Sequence, residues 1–275
     1  MGCCSFSAFI ISDFYMNKWL LTLLLLFPAA VMNAQQKKAI DFTYSHGCIV
    51  RGDSSKKEIA LVFSADEFGD GLFAIVKTLH EKNIQGAFFF TGRFYRNKNF
   101  QSGIQQLQAN GNYLGPHSDQ HLLYNDWNNR DSMLVSFDSF RTDIHHVLLT
   151  MKKKGLPVHQ PHLFMPPYEW WNDTVARWSD RVGLRLINFT PGIRTNADYT
   201  YPELGKTYKS SEWLLRWIKE KQQSDPNAFN GVIMLIHAGT DPRRKDKLYD
   251  HLGGIIDYLQ SEGYTFKRLD KMLDR

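Results

Sequence analysis

Cysteine is scarce in this sequence. Three occur in 275 residues: Cys3, Cys4 and Cys48. The first two fall in a segment with the features of a removable leader, which leaves Cys48 without a partner. An internal disulfide framework is thereby excluded, and the fold has to rest on a hydrophobic core. A chain of this length with 43% hydrophobic residues can build one. Long apolar runs are also missing: "WLLTLLLLF" (19–27) is too short for a membrane span. No arginine-rich stripe occurs, so the formal charge of +5 suits an anionic surface or polymer and gives no indication of nucleic acid. After Gln35 there is neither a low-complexity linker nor an internal repeat. Residues 35–275 are therefore expected to form a single domain, taken as a monomer. Aromatic residues, at 14%, fit either a core or a sugar-binding cleft.

The N-terminus has the order of an export signal. From Met16, Lys18 precedes the apolar run, and small residues lead to Ala34. Residues 1–34 are therefore expected to be a leader, with Met16 as the natural start and cleavage after Ala34. The mature chain would begin at Gln35, retain no membrane span and reside in the periplasm or the medium. The opening "MGCCSF" offers a lipid-modification signal as the alternative.

From residue 58, apolar β-rich runs alternate with helical spacing. "RGDSSKK" (51–57) is a turn, and its Arg-Gly-Asp needs no adhesive role. "EIALVFSA" (58–65) and "GAFFFTG" (86–92) predict buried strands, with Leu72, Ile75, Val76 and Leu79 on a helix between them. Helices are expected near 101–110, over 132–154 and near 210–223. "HLFMPPYE" (162–169) is a short strand stopped by prolines, and "LRLINFTP" (184–191) and "GVIMLIHAG" (231–239) are further strands. Leu248, Leu252, Ile255, Ile256 and Leu259 mark a last long helix. Such alternation predicts a parallel sheet covered by helices. It also places Asp66, Glu67, Tyr168 and His237 at the carboxyl ends of strands, where sites lie in such folds.

The chemistry-bearing residues are ambiguous when taken singly. His117 and His121 in "GPHSDQH" share a face if the segment is a helical turn, and neutral imidazoles so placed can bind a divalent metal. Such a pair is also found with no ligand at all. Ser118 stands where the zinc-peptidase motif needs glutamate. His145 and His146 are adjacent, so they point to different sides of a helix and are expected in solvent. Asp66 and Glu67 could be a metal ligand beside a base, or the cap of the next helix. His237 could be a hydrogen-bonded core residue or a catalytic acid.

In their order, these residues resemble a known family. From Glu58 to the C-terminus the chain is similar to the polysaccharide deacetylases, the NodB-like domain of carbohydrate esterase family four. "IALVFSADE" looks like the family's first motif, and "GNYLGPHSDQH" like its second, His-(Ser/Thr)-x-x-His. "FMPPYE" looks like the third, Arg-Pro-Pro-Tyr-Gly, and "MLIH" like the fifth. The resemblance implies an irregular (β/α)-barrel of about seven parallel strands. It implies metal-dependent removal of N-acetyl groups from an acetylated oligo- or polysaccharide of chitooligosaccharide or peptidoglycan type, giving acetate and an amino sugar. His117, His121 and Glu67 would hold a divalent metal, usually zinc, with cobalt or nickel as alternatives. Asp66 would be the base, the Tyr168 backbone N–H an oxyanion donor and His237 the acid, with Asp198 orienting His237. An O-acetyl esterase on a plant polysaccharide and a non-catalytic glycan-binding relic are the alternatives. The sequence departs from the family at three points. The first motif has Glu67 instead of a second aspartate, so the roles of its two acids could be exchanged. The third motif has Met165 in place of the arginine that holds the base, which leaves Arg194 or another cation to substitute. "NFTPGIRTNADYT" occupies the place of the fourth motif.

Overall fold

A tight turn through His46 and Gly47, both at positive φ, joins β1 (Thr43–Ser45) to β2 (Cys48–Arg51) as an antiparallel hairpin. The computed structural model describes residues 42–157 and 162–274. The leader, its start at Met16 and its cleavage point lie outside the described residues. Of the segment expected as a turn over 51–57, Arg51 still belongs to β2 and the turn itself falls at Ser54–Ser55. Arg51 donates to the carbonyls of Ala228 and Asn230, and the Asp53 carboxylate accepts from the Ser55 N–H.

The β/α alternation then runs as β3 (Glu58–Ala65), α1 (Leu72–Glu81), β4 (Ala87–Phe90), α2 (Gly92–Arg96), α3 (Gln101–Ala109), β5 (Tyr113–Pro116) and α4 (Phe137–Lys153). It continues as β6 (His162–Phe164), α5 (Asp173–Arg181), β7 (Leu184–Leu186), α6 (Ser211–Ser224), β8 (Val232–His237) and α7 (Leu252–Ser261). β9 (Thr265–Phe266) and α8 (Leu269–Met272) close the chain. The larger sheet has the order β1-β2-β8-β3-β4-β5, with β9 on β3, and β6 pairs with β7. A Met165 N–H bond to the Pro116 carbonyl links β5 to β6, and a bridge between Ile49 and Ile187 links β2 to β7. These links bring seven strands around one interior, in an irregular (β/α)-barrel. The strands are not all parallel, because β2 meets β8 antiparallel. The described residues form one compact unit. Among the described residues, no helix is long and apolar enough to cross a membrane.

Period-2 alternation sorts the strand side chains into two layers. Ile59, Leu61, Phe63, Phe88, Phe90, Met234 and Ile236 face the helices. Ala60, Val62, Ala87, Phe89, Ile233 and Leu235 fill the barrel interior, together with Met165 and with Leu269 and Met272 of α8. The interior is therefore a packed apolar core, and the open space lies beyond the carboxyl ends of the strands.

Several element boundaries differ from those predicted. The helix expected over 132–154 begins at Phe137, because the Ser136 hydroxyl caps it by accepting from the Ser139 N–H. The strand expected to 191 ends at Leu186, since the backbone of Asn188 and Thr190 bonds instead to Ile49 and Ile233. "TG" at 91–92 starts α2, with the Thr91 hydroxyl accepting from the Phe94 N–H. The last helix opens with a 3-10 turn over Leu248–His251.

The stacked rings of Phe63 and Phe88, with centroids 4.7 Å apart, are fully buried between sheet and helices. Phe88→Ala should therefore lower the unfolding free energy by about 3–5 kcal/mol. Urea denaturation would read this as a lower midpoint at unchanged slope.

Candidate functional site

The carboxyl ends of β3, β5, β6 and β8 open into a cavity of about 600 Å³ lined by Asp66, Glu67, His117, His121, Tyr168, Glu169 and His237. Each of these follows or ends a strand, so barrel closure is what brings together residues up to 171 positions apart (237 − 66).

"HSDQH" is not a helical turn. Ser118 and His121 have φ of 68° and 57°, and the loop reverses through them. The residues between the histidines hold that shape. The Ser118 hydroxyl accepts from the His121 N–H, and the Asp119 carboxylate pairs with Arg96. The buried Asp143 of α4 accepts from the Asp119 and Gln120 N–H groups. The imidazole centroids are still only 5.1 Å apart. His117 is 2% exposed, and its Nδ1 lies 2.8 Å from the Met165 carbonyl. That carbonyl can only accept, so Nδ1 carries the proton and Nε2 presents its lone pair. Burial, reinforced by His121, pushes His117 down to about 3. Burial also lowers His121, to about 4 against the opposing charge of Asp66. Both rings are thus neutral near pH 7, the state a metal ligand requires.

The two acids after β3 diverge. Asp66 turns inward, with Oδ2 3.7 Å from His121 Nδ1, while Glu67 is exposed. Among the described residues, Glu67 makes no ion pair with either imidazole. The side chain that the first-motif register made a ligand therefore points to the mouth of the cavity, because successive residues leaving a strand face opposite ways. The cation that substitutes beside Asp66 for the arginine replaced by Met165 is not Arg194. Met165 is sealed in the apolar barrel interior and Arg194 is exposed. Arg93, in the first turn of α2, instead grips both Asp66 oxygens in a fork. Burial alone would raise the Asp66 carboxyl, but Arg93, His121 and Thr91 outweigh it and hold it below the usual range.

At the end of β8 the electrostatics reverse. His237 Nδ1 lies 2.6 Å from Asp198 Oδ1, and Asp198 Oδ2 accepts the His237 backbone N–H at 2.9 Å. Asp198 is fully buried in a 3-10 segment (Arg194–Tyr199). Burial would depress His237, but Asp198 and then Glu169 overcome it and lift the imidazole to about 9. The loop carrying Asp198 is tied down by buried Arg244, which donates to the carbonyls of Thr200 and Lys209 and to the Ser211 hydroxyl.

Glu169, like Arg93, had no role in the sequence-based expectations. Glu169 reaches into the cavity, with Oε1 3.7 Å from His117 Nε2. Burial raises its carboxyl against the opposing charge of His237 and a bond from Ser64. Tyr168 and Glu169 both have left-handed backbone, with φ of 59° and 51°. The Asn188 side chain holds the Glu169 carbonyl, and the Trp170 indole donates to the Asp126 carbonyl. Trp170 and Trp171 divide between the two roles open to them. Trp171 is buried and donates to Ser45, whereas Trp170 lines the cavity beside Trp127, with centroids 5.3 Å apart. Exposed Tyr199 stands against His237.

Do these residues suit a divalent metal? Two neutral imidazoles, one locked through a carbonyl, with carboxylates beside them, are the donor chemistry of a zinc-type site. The approach is pairwise, Asp66 to His121 and Glu169 to His117. No three His, Cys, Asp or Glu side chains converge on one point among the described residues. The donor set fits in kind, by the chemistry of its imidazoles and carboxylates.

The model for the family described as "Polysaccharide deacetylase" matches residues 51–187, a span holding both histidines, Asp66 and Glu169. This chain belongs to the polysaccharide deacetylase family. A 30.6 kDa protein of Geobacillus stearothermophilus, itself uncharacterised, is 25% identical over 229 residues, which is 83% of this chain and 75% of that one. Solved structures of the same fold include a family 4 carbohydrate esterase pseudoenzyme from Bacillus anthracis. It has a TM-score of 0.65 and 19% identity, over 84% of this chain and 70% of that one. Another is the chitin deacetylase of the fungus Colletotrichum lindemuthianum, with a TM-score of 0.62 and 16% identity, over 84% of this chain and 93% of that one. At these identities the likeness establishes the barrel and leaves the chemistry to be argued from the site. The family match ends before Asp198 and His237, so the acid half of the site is recognised by its geometry.

Because His237 is lifted above its unfolded value of 6.5, its stabilising contribution is complete below that pH and is lost as pH rises through about 9. Asp198→Asn should bring the His237 midpoint down from about 9, as followed by NMR titration of the ring.

Proposed function

We propose that this domain is an exported, metal-dependent deacetylase that hydrolyses N-acetyl groups of a chitooligosaccharide- or peptidoglycan-type glycan. The observation that carries this reading is the convergence on one cavity of His117 and His121, each with a carboxylate beside it, and of His237, held at Nδ1 by Asp198. His117 and His121 would hold the metal, zinc by donor type with cobalt or nickel as alternatives, together with a carboxylate. When bound, the metal supplies a Lewis acid for the acetyl carbonyl and for the attacking water. Asp66, kept ionised by Arg93, takes the proton of that water. The Tyr168 backbone N–H would serve as the donor to the developing oxyanion. Water oxygen joins the acetyl carbon, the C–N bond breaks, and His237 gives its proton to the departing nitrogen. An amide nitrogen needs that proton more than an ester oxygen does, so a charged His237 favours N-acetyl over O-acetyl substrates. Trp127, Trp170 and Tyr199 offer aromatic faces to sugar rings.

The fork between Arg93 and Asp66 and the pairwise carboxylates support a second reading, a glycan-binding relic. One assay separates the two. Zinc-loaded protein should release acetate from chitooligosaccharides or peptidoglycan fragments, more slowly from O-acetylated xylan. His237→Ala should cut the rate by about 10²–10⁴-fold. Binding without turnover, unaffected by chelation, would establish the relic.

A further inference from the structure

We propose that Glu169, in place of Glu67, is the third ligand of the metal held by His117 and His121, an inference that rests on the metal-dependent reading above. The first support is a mismatch of acceptors. His117 gives its Nδ1 proton to the Met165 carbonyl, so Nε2 faces Glu169 Oε1 with a lone pair at 3.7 Å. That is too far for a hydrogen bond, and the pair is screened from solvent, with His117 2% and Glu169 15% exposed at their side chains. Two acceptors confronting each other in a buried pocket are stable when a cation lies between them.

The second support is backbone strain. Glu169 sits at φ 51°, directly after Tyr168 at 59°, a conformation glycine adopts freely and glutamate does not. Asn188 secures the Glu169 carbonyl, so the turn is enforced from outside itself. A strained residue whose side chain ends at the mouth of an imidazole lone pair is retained for that side chain. The other carboxylates are less available. Glu67 is exposed, and both Asp66 oxygens are engaged by Arg93.

The test is zinc affinity of the metal-stripped protein, measured by competition with a chromophoric chelator, for wild type, Glu169→Gln, Glu169→Gly, Glu67→Gln and His117→Ala. Partners one shell away from a metal are worth about 10–100-fold, so loss of a ligand should weaken zinc by about 100-fold or more in both Glu169 variants. Glu67→Gln should bind as wild type. Glu169→Gly should also keep or raise the thermal midpoint by relieving the backbone, which separates lost ligation from lost folding. Wild-type affinity in the Glu169 variants with loss in His117→Ala would overturn the Glu169 assignment and leave the metal site standing. If wild type does not bind zinc, or His117→Ala binds it equally well, the metal-dependent reading falls too.

Discussion

The apolar interior of the barrel is the constraint on which the site's electrostatics depend. Met165 follows β6 into that interior and is fully buried among Phe89, Leu163 and Ile187. A guanidinium there would lose its hydration without an adequate partner. The charge that steadies Asp66 therefore has to come from the rim. It does, from Arg93 on a five-residue helix that the Thr91 hydroxyl caps one residue after β4. The same methionine keeps a role through its backbone, because its carbonyl fixes the His117 tautomer. One position thus combines an apolar side chain that completes the core with a carbonyl that sets the chemistry above it.

Burial acts in one direction on all three cavity histidines, and their partners decide the outcome. His117 has a neutral carbonyl for a partner, so desolvation prevails and the ring stays uncharged. His237 has a buried carboxylate that holds both its ring and its backbone, so the charge prevails. Separated pKa values within one cavity are the arrangement that lets one fold run both ligand and acid chemistry at one pH. The separation depends on anchoring the Asp198 loop, and that is the work of Arg244, whose side chain is fully buried and spans three partners.

The sequence disclosed the strands best where continuous apolar runs are bounded by polar residues: Glu58–Ala65 matches its predicted bounds, and Val232–His237 lies within them. Residues fixed by strand ends, such as His117 and His237, were legible for the same reason. Arg93 and Glu169 were not. Arg93 belongs to a helix too short to show periodicity, and its partner is 27 residues away. Glu169 follows "PPY", where proline signals a turn but gives no sign of its handedness. Only the left-handed backbone at two consecutive non-glycine residues turns the carboxylate inward. The spacing of "HSDQH" suggested a helical face, yet side-chain bonds from Ser118, Asp119 and Asp143 bring the rings together by another route.

Strain and charge are therefore concentrated on the same wall of the cavity. The turn at Tyr168–Glu169 costs on the order of 1–2 kcal/mol per residue relative to right-handed backbone. A domain with about 5–15 kcal/mol of total stability would not keep such a cost at random positions. Here it lies beside the lone pair of His117, within the electrostatic reach of His237, and under the exposed rings of Tyr168 and Trp127. Exchanging Glu169 for glycine would remove, in a single step, both the strain and the carboxylate that faces that lone pair. Local stability and the chemistry of the site thus oppose each other at one residue, and the fold has settled the conflict in favour of the carboxylate.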